Sequence, residues 1–287
     1  MNHLNSLGRN GGRFGRLRTG ALALGIALGL SACQSVQTTG TGVVGVDRQQ
    51  RMSALVSETE LRQGAVQAYR AELDKERQKG TLNVDARLTA RVKAIANRLI
   101  PTTRAFRPDA PGWAWEVNVI RSDSINAWCM PGAKIALYTG LIDKLALTDD
   151  EIAAVMGHEI AHALREHARE RASEQVTAGL LIQGGAAVLG MGSGTVDMAR
   201  LAYQVTLGLP NSRLHESEAD RMGVELAARA GYDPRAAITL WQKMGRAGGG
   251  GGPEWMSTHP SADTRIRDLE VFAARVMPLY QQARGQR

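Results

Sequence analysis

Two histidines and a glutamate lie close together in residues 157–162, which have the sequence GHEIAH. His158 and His162 are four residues apart, so on a helix both imidazoles lie on one face and can reach one ion at the zinc–nitrogen distance of about 2.0 to 2.1 Å. Glu159 is rotated by about 100° around the helix axis, where its carboxylate reaches a water on the ion rather than the ion. The spacing predicts a zinc site; the alternative is a helix that happens to carry two imidazoles.

A second pair of side chains, Glu216 and Asp220, has the same four-residue spacing within the sequence ESEAD. A catalytic zinc needs a third protein ligand and an open position for water. Glu216 would complete a set of two histidines and one glutamate, and Asp220 would hydrogen-bond the outer nitrogen of a ligand histidine and so fix its tautomer. Such a pair is also common on solvated helix faces, so by itself it does not decide the question.

Helices are needed to position these residues. The sequence TDDE, from Thr148 to Glu151, fits a capping box and predicts the start of a helix that continues through GHEIAH to about Arg171. A later helix begins near Ser212, carries ESEAD and is closed by Gly231. Both candidate ligand pairs are therefore predicted to lie on helices that are separate in the sequence.

Periodicity predicts two helices before this region, at residues 51–79 and 86–99. Alternating apolar residues predict strands at 113–122 and 134–140, with turn residues between them. Almost everything after Thr148 is predicted to be helical. The expected fold class is therefore α+β, predominantly helical, with a small sheet.

The N-terminal residues 1–32 combine an arginine-bearing start with the short apolar run ALALGIALGL, which is typical of a signal peptide. The join LSAC resembles a bacterial lipobox and predicts that Cys33 is lipidated; an ordinary cleavage site is the alternative. Gln34 matches the outer-membrane sorting pattern. Residues 33–48, rich in Gly, Thr and Gln, are predicted to be a flexible tether between the lipid and a domain at residues 49–287.

The charge balance gives no support to nucleic-acid binding. The whole chain has 35 Lys and Arg against 28 Asp and Glu, a net charge of +7. Removing residues 1–32, which hold four arginines and no acidic residue, leaves 31 basic against 28 acidic side chains, or +3. No basic stripe with interleaved aromatic residues is present. With Cys33 assigned to lipid, Cys129 has no disulfide partner.

Taken together, the motifs resemble the gluzincin metallopeptidases of the CAAX-prenyl-protease, heat-shock-protease-X and Oma type. The resemblance rests on GHEIAH, on SRLHESEADRMG followed by AGYDP, on NAWCMPGAKIALYTGLI before GHEIAH, and on STHP. It covers a catalytic core at about residues 80–278. The lipobox indicates the periplasmic lipoprotein branch, which is LoiP-like and YcaL-like and is related to BepA.

The resemblance implies a zincin-like domain with a small mixed sheet and one zinc ion per chain. His158, His162 and Glu216 match the family's metal ligands. Glu159 matches the general base, which takes a proton from the attacking water, and Asp220 matches the residue that supports a ligand histidine.

Further expectations concern the three remaining histidines of the domain and the strand at 134–140. The histidine of STHP, His259, is expected either to be a fourth zinc ligand in a resting state or to donate to the oxyanion; an uninvolved loop histidine is the alternative. His167 is predicted to lie on a solvated helix end, and His215 is not expected to be a ligand. The strand at 134–140 is expected to offer its edge to an extended substrate, or else to be internal.

The resulting expectation is a zinc endopeptidase lipid-anchored through Cys33 to the outer membrane and facing the periplasm. Its expected substrates are unfolded, misfolded or stalled envelope proteins, the barrel-assembly machinery is an expected partner, and no nucleic acid is expected. The alternative is a metal-binding periplasmic chaperone or scaffold with little proteolysis. A scaffold has no need of Glu159, so the presence of this residue favours the enzyme.

Overall fold

The computed structural model describes residues 33–182, 197–247, 253–260 and 263–285. The predicted signal peptide at 1–32 lies outside these ranges. The described α-helices are α1 Glu58–Gln78, α2 Ala86–Leu99, α3 Thr139–Lys144, α4 Asp149–Leu164, α5 His167–Ile182, α6 Met198–Tyr203, α7 Arg213–Arg229, α8 Ala236–Ala247, α9 Glu254–Thr258 and α10 Asp263–Gly285. With the sheets described next, they confirm the expected α+β class.

The described strands are β1 Cys33–Val36, β2 Gln50–Ser53, β3 Glu116–Ile120, β4 Ala127–Met130 and β5 Lys134–Tyr138. β1 and β2 pair antiparallel, and the other three form a sheet in the order β3, β5, β4, in which β5 is parallel to β3 and antiparallel to β4. This sheet is mixed, as expected. The expectation that the strand at 134–140 offers its edge is wrong, because β5 has a hydrogen-bonded neighbour on both sides.

The segment predicted to be a flexible tether, residues 33–48, instead packs on the folded domain. Val44 and Val46 are buried in the main hydrophobic core, and the Gly40 amide donates to the Phe106 carbonyl over 2.7 Å. The composition of this segment is typical of a linker, yet its valines have apolar partners in the domain. Burial of these side chains and pairing of the backbone offset the entropy that a free linker would keep.

The first helix, α1, is shorter than predicted because the chain before it pairs as β2. Ser57 caps α1, and its side chain accepts a hydrogen bond from the Glu60 amide. Helix α2 has the predicted limits, with Asp85 as its N-cap. No helix among the described residues is long and apolar enough to cross a membrane.

Helix α4 lies at the centre of the domain and begins with the predicted capping box between Thr148 and Glu151. Nearly all of its side chains are buried, including the two histidines and the glutamate of GHEIAH. It packs on α7, α8, α2 and β4. A helix buried on every side holds its polar groups against neighbouring elements, so the partners of these groups define the site.

Candidate metal centre

Helices α4 and α7 touch backbone to backbone at Gly157 and Gly223. A methyl group on Gly157 would lie 2.8 Å from the Gly223 carbonyl oxygen, and one on Gly223 would lie 2.8 Å from the His158 amide nitrogen. Neither position has room for a side chain. This close approach brings the histidine face of α4 against the part of α7 that carries Glu216.

Four side chains direct their donor atoms to one point. The Nε2 atoms of His158 and His162 are 3.0 Å apart. His158 Nε2 lies 3.4 Å from Glu216 Oε2, and His162 Nε2 lies 3.3 Å from Glu216 Oε1. His259 Nδ1 lies 3.2 Å from His158 Nε2 and 3.0 Å from Glu216 Oε1. All four residues are buried, and their ligand atoms lie within 4.8 Å of one another.

These separations fit a single zinc ion. Tetrahedral ligands at about 2.0 to 2.1 Å from zinc are about 3.3 Å apart, and the observed values are 3.0 to 3.4 Å. The donor chemistry agrees, since three imidazole nitrogens and a carboxylate are typical zinc ligands. Glu216 Oε2 is buried without a hydrogen bond; its 2.7 Å contact with Arg265 Nη1 is an ion pair only.

The carboxylates of this centre strongly affect its titration. Burial lowers the pKa of His158, but the nearby carboxylates of Glu216 and Asp220 outweigh burial and raise that pKa to about 9. Burial lowers the pKa of His162 well below its ordinary value. The pKa of Glu216 is lowered despite its burial, because imidazoles surround it. The centre thus combines an ionised carboxylate with imidazoles, an environment that attracts a cation.

Asp220 orients His158 as the sequence predicts. His158 Nδ1 lies 3.0 Å from Asp220 Oδ1, and because a carboxylate only accepts, the ring nitrogen donates. The other ring nitrogen, Nε2, then faces the remaining donor atoms of the cluster and would become a ligand atom when a metal ion displaces its proton. Asp220 is itself held by Arg265 of α10, whose Nε and Nη2 atoms donate to the two carboxylate oxygens over 2.6 and 2.7 Å.

Glu159 lies on the side of α4 that faces helix α9. Its Oε1 accepts a 2.8 Å hydrogen bond from Trp255 Nε1 and lies 3.4 Å from His259 Nε2. The rings of Trp255 and His259 stack on each other, with centroids 4.7 Å apart. The α9 segment therefore covers both Glu159 and the ligand cluster.

His167 and His215, which the sequence analysis places outside the site, are both buried. The prediction of a solvated helix end at His167 is wrong: this ring is fully buried and its Nδ1 lies 2.8 Å from His162 Nδ1. His215 is not one of the four clustered residues, in agreement with the sequence analysis, but its ring stacks on His167. Burial lowers the pKa of His167 well below its ordinary value.

The structure brings together the six predicted residues of the site. These are His158, Glu159, His162, Glu216, Asp220 and His259. Sequence reasoning missed His167, Glu218, Arg265 and Trp255, which hold the predicted residues in place. No local spacing indicates His167, because a residue five positions after His162 lies about 140° around a helix axis and because the chain breaks between α4, which ends at Leu164, and α5.

Comparison with known proteins identifies the family. Residues 86–273, about two thirds of the chain, match the model of peptidase family M48. The chain belongs to this family. M48 metallopeptidases use zinc, and the His158, His162, Glu216 and His259 cluster fits that metal. The domain around α4 and α7 is therefore a metallopeptidase domain.

The relatives of this M48 domain include mitochondrial and bacterial proteases. The chain is 37% identical over 158 residues to the mitochondrial metalloendopeptidase OMA1 of Arabidopsis thaliana, which covers 55% of this chain and 31% of that protein. For OMA1 of Bos taurus the identity is 36% over 201 residues, 65% of this chain and 37% of the relative. For the beta-barrel assembly-enhancing protease of Escherichia coli K12 the identity is 28% over 208 residues, which make up 69% of this chain and 42% of the relative. The chain therefore spans only 31 to 42% of the length of these three relatives.

Proposed function

We propose that this chain is a zinc-dependent endopeptidase, anchored at the outer membrane, that degrades misfolded or stalled periplasmic and outer-membrane proteins. The observation that carries the proposal is the convergence of His158, His162 and Glu216, with donor atoms 3.0 to 3.4 Å apart and Glu159 next to the first ligand. This arrangement supports peptide hydrolysis, and the named relatives support a protein substrate.

Under this proposal His158, His162 and Glu216 hold the zinc ion. Bound there, zinc supplies a Lewis acid for the peptide carbonyl and lowers the pKa of water. Glu159 accepts the proton of the attacking water and passes it to the leaving amine as the peptide bond breaks. Asp220 keeps His158 in the tautomer whose Nε2 lone pair faces the ion.

His259 has two proposed roles that follow from its position. Its Nδ1 lies 3.0 Å from Glu216 Oε1 and its Nε2 lies 3.4 Å from Glu159 Oε1, so its ring stands between the ligand cluster and the base. In the arrangement described here its Nδ1 would serve as a fourth ligand atom for a bound zinc ion. If α9 moves away, the same ring can donate to an oxyanion that forms at the carbonyl.

An extended, unfolded substrate can be held by backbone pairing with a strand edge, which tolerates many sequences. β5 is internal, so we assign this role to β4, the outer strand of the sheet on the side opposite β3. β4 packs on helix α4, which carries GHEIAH. Substrate contact at this edge would place the peptide next to the helix that carries Glu159.

The proposed anchor and compartment rest on the N-terminal sequence. Cys33 follows the lipobox-like residues LSA, and β1 begins at this same cysteine. Because residues 33–48 pack on the domain, a lipid on Cys33 would hold the peptidase close to the membrane surface. The beta-barrel assembly-enhancing protease among the relatives supports a role near the barrel-assembly machinery.

The proposal is tested by replacing the base. Glu159→Gln should lower the cleavage of casein, an unfolded protein, by at least about 100-fold, since general-base catalysis contributes 10² to 10⁴. The variant should keep one zinc ion per chain, because Glu159 is not a ligand. Glu174→Gln, which removes an exposed carboxylate from α5, is the matched control and should cleave casein normally. Undiminished cleavage by Glu159→Gln would show that this residue is not the base and would favour incidental proteolysis by a scaffold.

A further inference from the structure

The second ligand histidine, His162, is supported differently from the first. Its outer nitrogen, Nδ1, lies 2.8 Å from His167 Nδ1, and His167 Nε2 lies 3.0 Å from Glu218 Oε2. His167 belongs to α5 and Glu218 to α7. A chain of two hydrogen bonds therefore joins this ligand to a buried carboxylate on the helix that also provides Glu216.

The charges around Glu218 determine where the protons of this chain lie. Arg48 Nε and Arg165 Nη2 donate to Glu218 Oε1 over 2.8 and 3.1 Å, so the Glu218 carboxylate is the acceptor in its contacts. His167 Nε2 must then carry the proton, and in the neutral ring His167 Nδ1 accepts. His162 Nδ1 is consequently the donor of the 2.8 Å contact, which leaves the Nε2 lone pair of His162 facing the zinc ligands.

The position of the His167 ring is also fixed from the side. His215 stacks on it with ring centroids 4.3 Å apart and an interplanar angle of 18°, and His215 Nε2 donates to Glu170 Oε2 over 3.1 Å. Arg48 joins the two carboxylates, because it donates to Glu170 over 2.7 and 2.8 Å as well as to Glu218. Arg48 lies in the N-terminal segment just before β2.

We propose that His167 and Glu218 are positioning residues for the metal ligand His162, and that Arg48 connects the N-terminal segment to this relay. The function of the relay is to hold His162 in one tautomer and one ring orientation, as carboxylate–histidine pairs do at zinc sites. A network that served only folding would not need His167 Nδ1 aligned with a ligand nitrogen. This inference rests on the metal site of the proposed function.

The first test compares two substitutions at His167. His167→Leu removes both hydrogen bonds and fills the buried space with an apolar side chain. His167→Gln introduces an amide oxygen that can accept from His162 and an amide nitrogen that can donate to Glu218. Loss of this type of support weakens metal binding roughly 10- to 100-fold. We expect that loss for His167→Leu and recovery of most of the affinity for His167→Gln, measured by competition for Zn²⁺ with a chromophoric chelator.

The second test uses a matched pair on α7 and remains informative if His167→Leu does not fold. Glu218 and Glu225 are both buried and both paired with arginine, but Glu225 contacts Arg229 and the Val44 amide rather than a histidine. Glu218→Gln should weaken Zn²⁺ binding about tenfold and shift the visible spectrum of bound Co²⁺. Glu225→Gln should change neither, although both variants lose stability in denaturant.

The outcomes separate the relay from the metal site itself. If the unaltered protein binds no zinc, the proposed function fails and the relay fails with it. If the unaltered protein binds one zinc per chain, two results overturn the relay alone: normal affinity in both His167→Leu and Glu218→Gln, or equal weakening by Glu218→Gln and Glu225→Gln. Weakening confined to His167→Leu and Glu218→Gln, with recovery in His167→Gln, supports it.

Discussion

The two histidines of α4 that we propose as zinc ligands are supported from opposite ends of the described chain. His158 is held by Asp220, whose carboxylate is paired with Arg265 of the C-terminal helix α10. His162 is held through His167 by Glu218, and Glu218 is paired with Arg48 of the N-terminal segment. We call the contacts through Asp220 and Arg265 the direct arm, and those through His167, Glu218 and Arg48 the relayed arm. Each arm contains a buried carboxylate of α7 and an arginine from another part of the chain. The first arm is direct, whereas the second passes through an additional imidazole.

The difference shows how one helix face is tied to distant parts of the chain. Arg265 also contacts Glu216, with Nη1 2.7 Å from Oε2, so the direct arm stabilises a ligand histidine and the ligand glutamate together. In the relayed arm the Glu218 carboxylate acts on His162 only through His167, so a small displacement of His167 can be absorbed by two hydrogen bonds instead of one. We therefore expect the direct arm to have the larger effect on metal binding.

The largest loss of zinc affinity is expected for Asp220→Asn, which is the same acid-to-amide change as Glu218→Gln on the other arm. We expect zinc affinity to fall by roughly 10- to 100-fold, because the amide carries no charge to polarise the His158 ring or to neutralise Arg265. The loss should exceed that of Glu218→Gln in the same chelator competition. A smaller loss for Asp220→Asn would contradict the ranking of the two arms.

A smaller effect on zinc binding is expected at the third histidine, which neither arm supports. The amide of Asn211 approaches the same nitrogen that faces the other donor atoms, with Asn211 Nδ2 3.3 Å from His259 Nδ1, and the outer nitrogen, Nε2, lies 3.4 Å from Glu159 Oε1. His259→Ala leaves three protein ligands, the usual number at a catalytic zinc, so affinity should fall by less than about tenfold. Peptide cleavage should change in rate at saturating zinc. Unchanged rates at every zinc concentration would show that His259 is a loop histidine without a role in the reaction.

The smallest effect on metal binding is expected for Arg48→Gln, whose main consequence is a pH-dependent loss of stability. Burial raises the pKa of Glu170, but hydrogen bonds from Arg48 and His215 outweigh it and lower that pKa below its ordinary value of 4.5. A carboxylate whose pKa is lowered by folding stabilises the protein above that value, and the contribution is lost as the pH falls. Arg48→Gln should cost about 2 kcal/mol at neutral pH.

Urea denaturation of both proteins between pH 7 and pH 3 measures this contribution. The difference in unfolding free energy between the unaltered chain and Arg48→Gln should be constant near neutrality and should shrink in acid, because folded Glu170 becomes protonated at a higher pH without Arg48 than with it. A difference that is the same at pH 7 and pH 3 would mean that Arg48 stabilises the chain by packing and not through its carboxylates.

Much of the site could be predicted because its signals are local. The spacing of His158 and His162, the capping box at Thr148 and the pair of Glu216 and Asp220 are each determined within one or two helical turns. The long-range fact that α4 and α7 meet was supplied by resemblance to a family. The contact itself depends on two glycines, Gly157 and Gly223, whose role is visible only when both helices are placed.

The parts that could not be predicted depend on contacts distant in sequence. The charged residues around His167 have the pattern of a solvated helix end, yet Glu170 and Arg165 are buried because Arg48, more than 100 residues earlier, pairs with one and accepts from the other. A run of charged residues gives the same sequence pattern whether water solvates the side chains or another segment of the chain pairs with them. The internal position of β5 was also hidden, because the four residues of β4 are all buried and show no alternating pattern that would predict a strand.

We propose that His158, His162 and Glu216 together bind one zinc ion beside Glu159. Anomalous X-ray scattering at the zinc absorption edge, from crystals of the unaltered protein, tests it most directly. We predict one strong peak at about 2.0 to 2.2 Å from the Nε2 atoms of His158 and His162 and from a Glu216 carboxylate oxygen. A peak elsewhere, or zinc bound to the histidines with Glu216 out of reach, would contradict the claim.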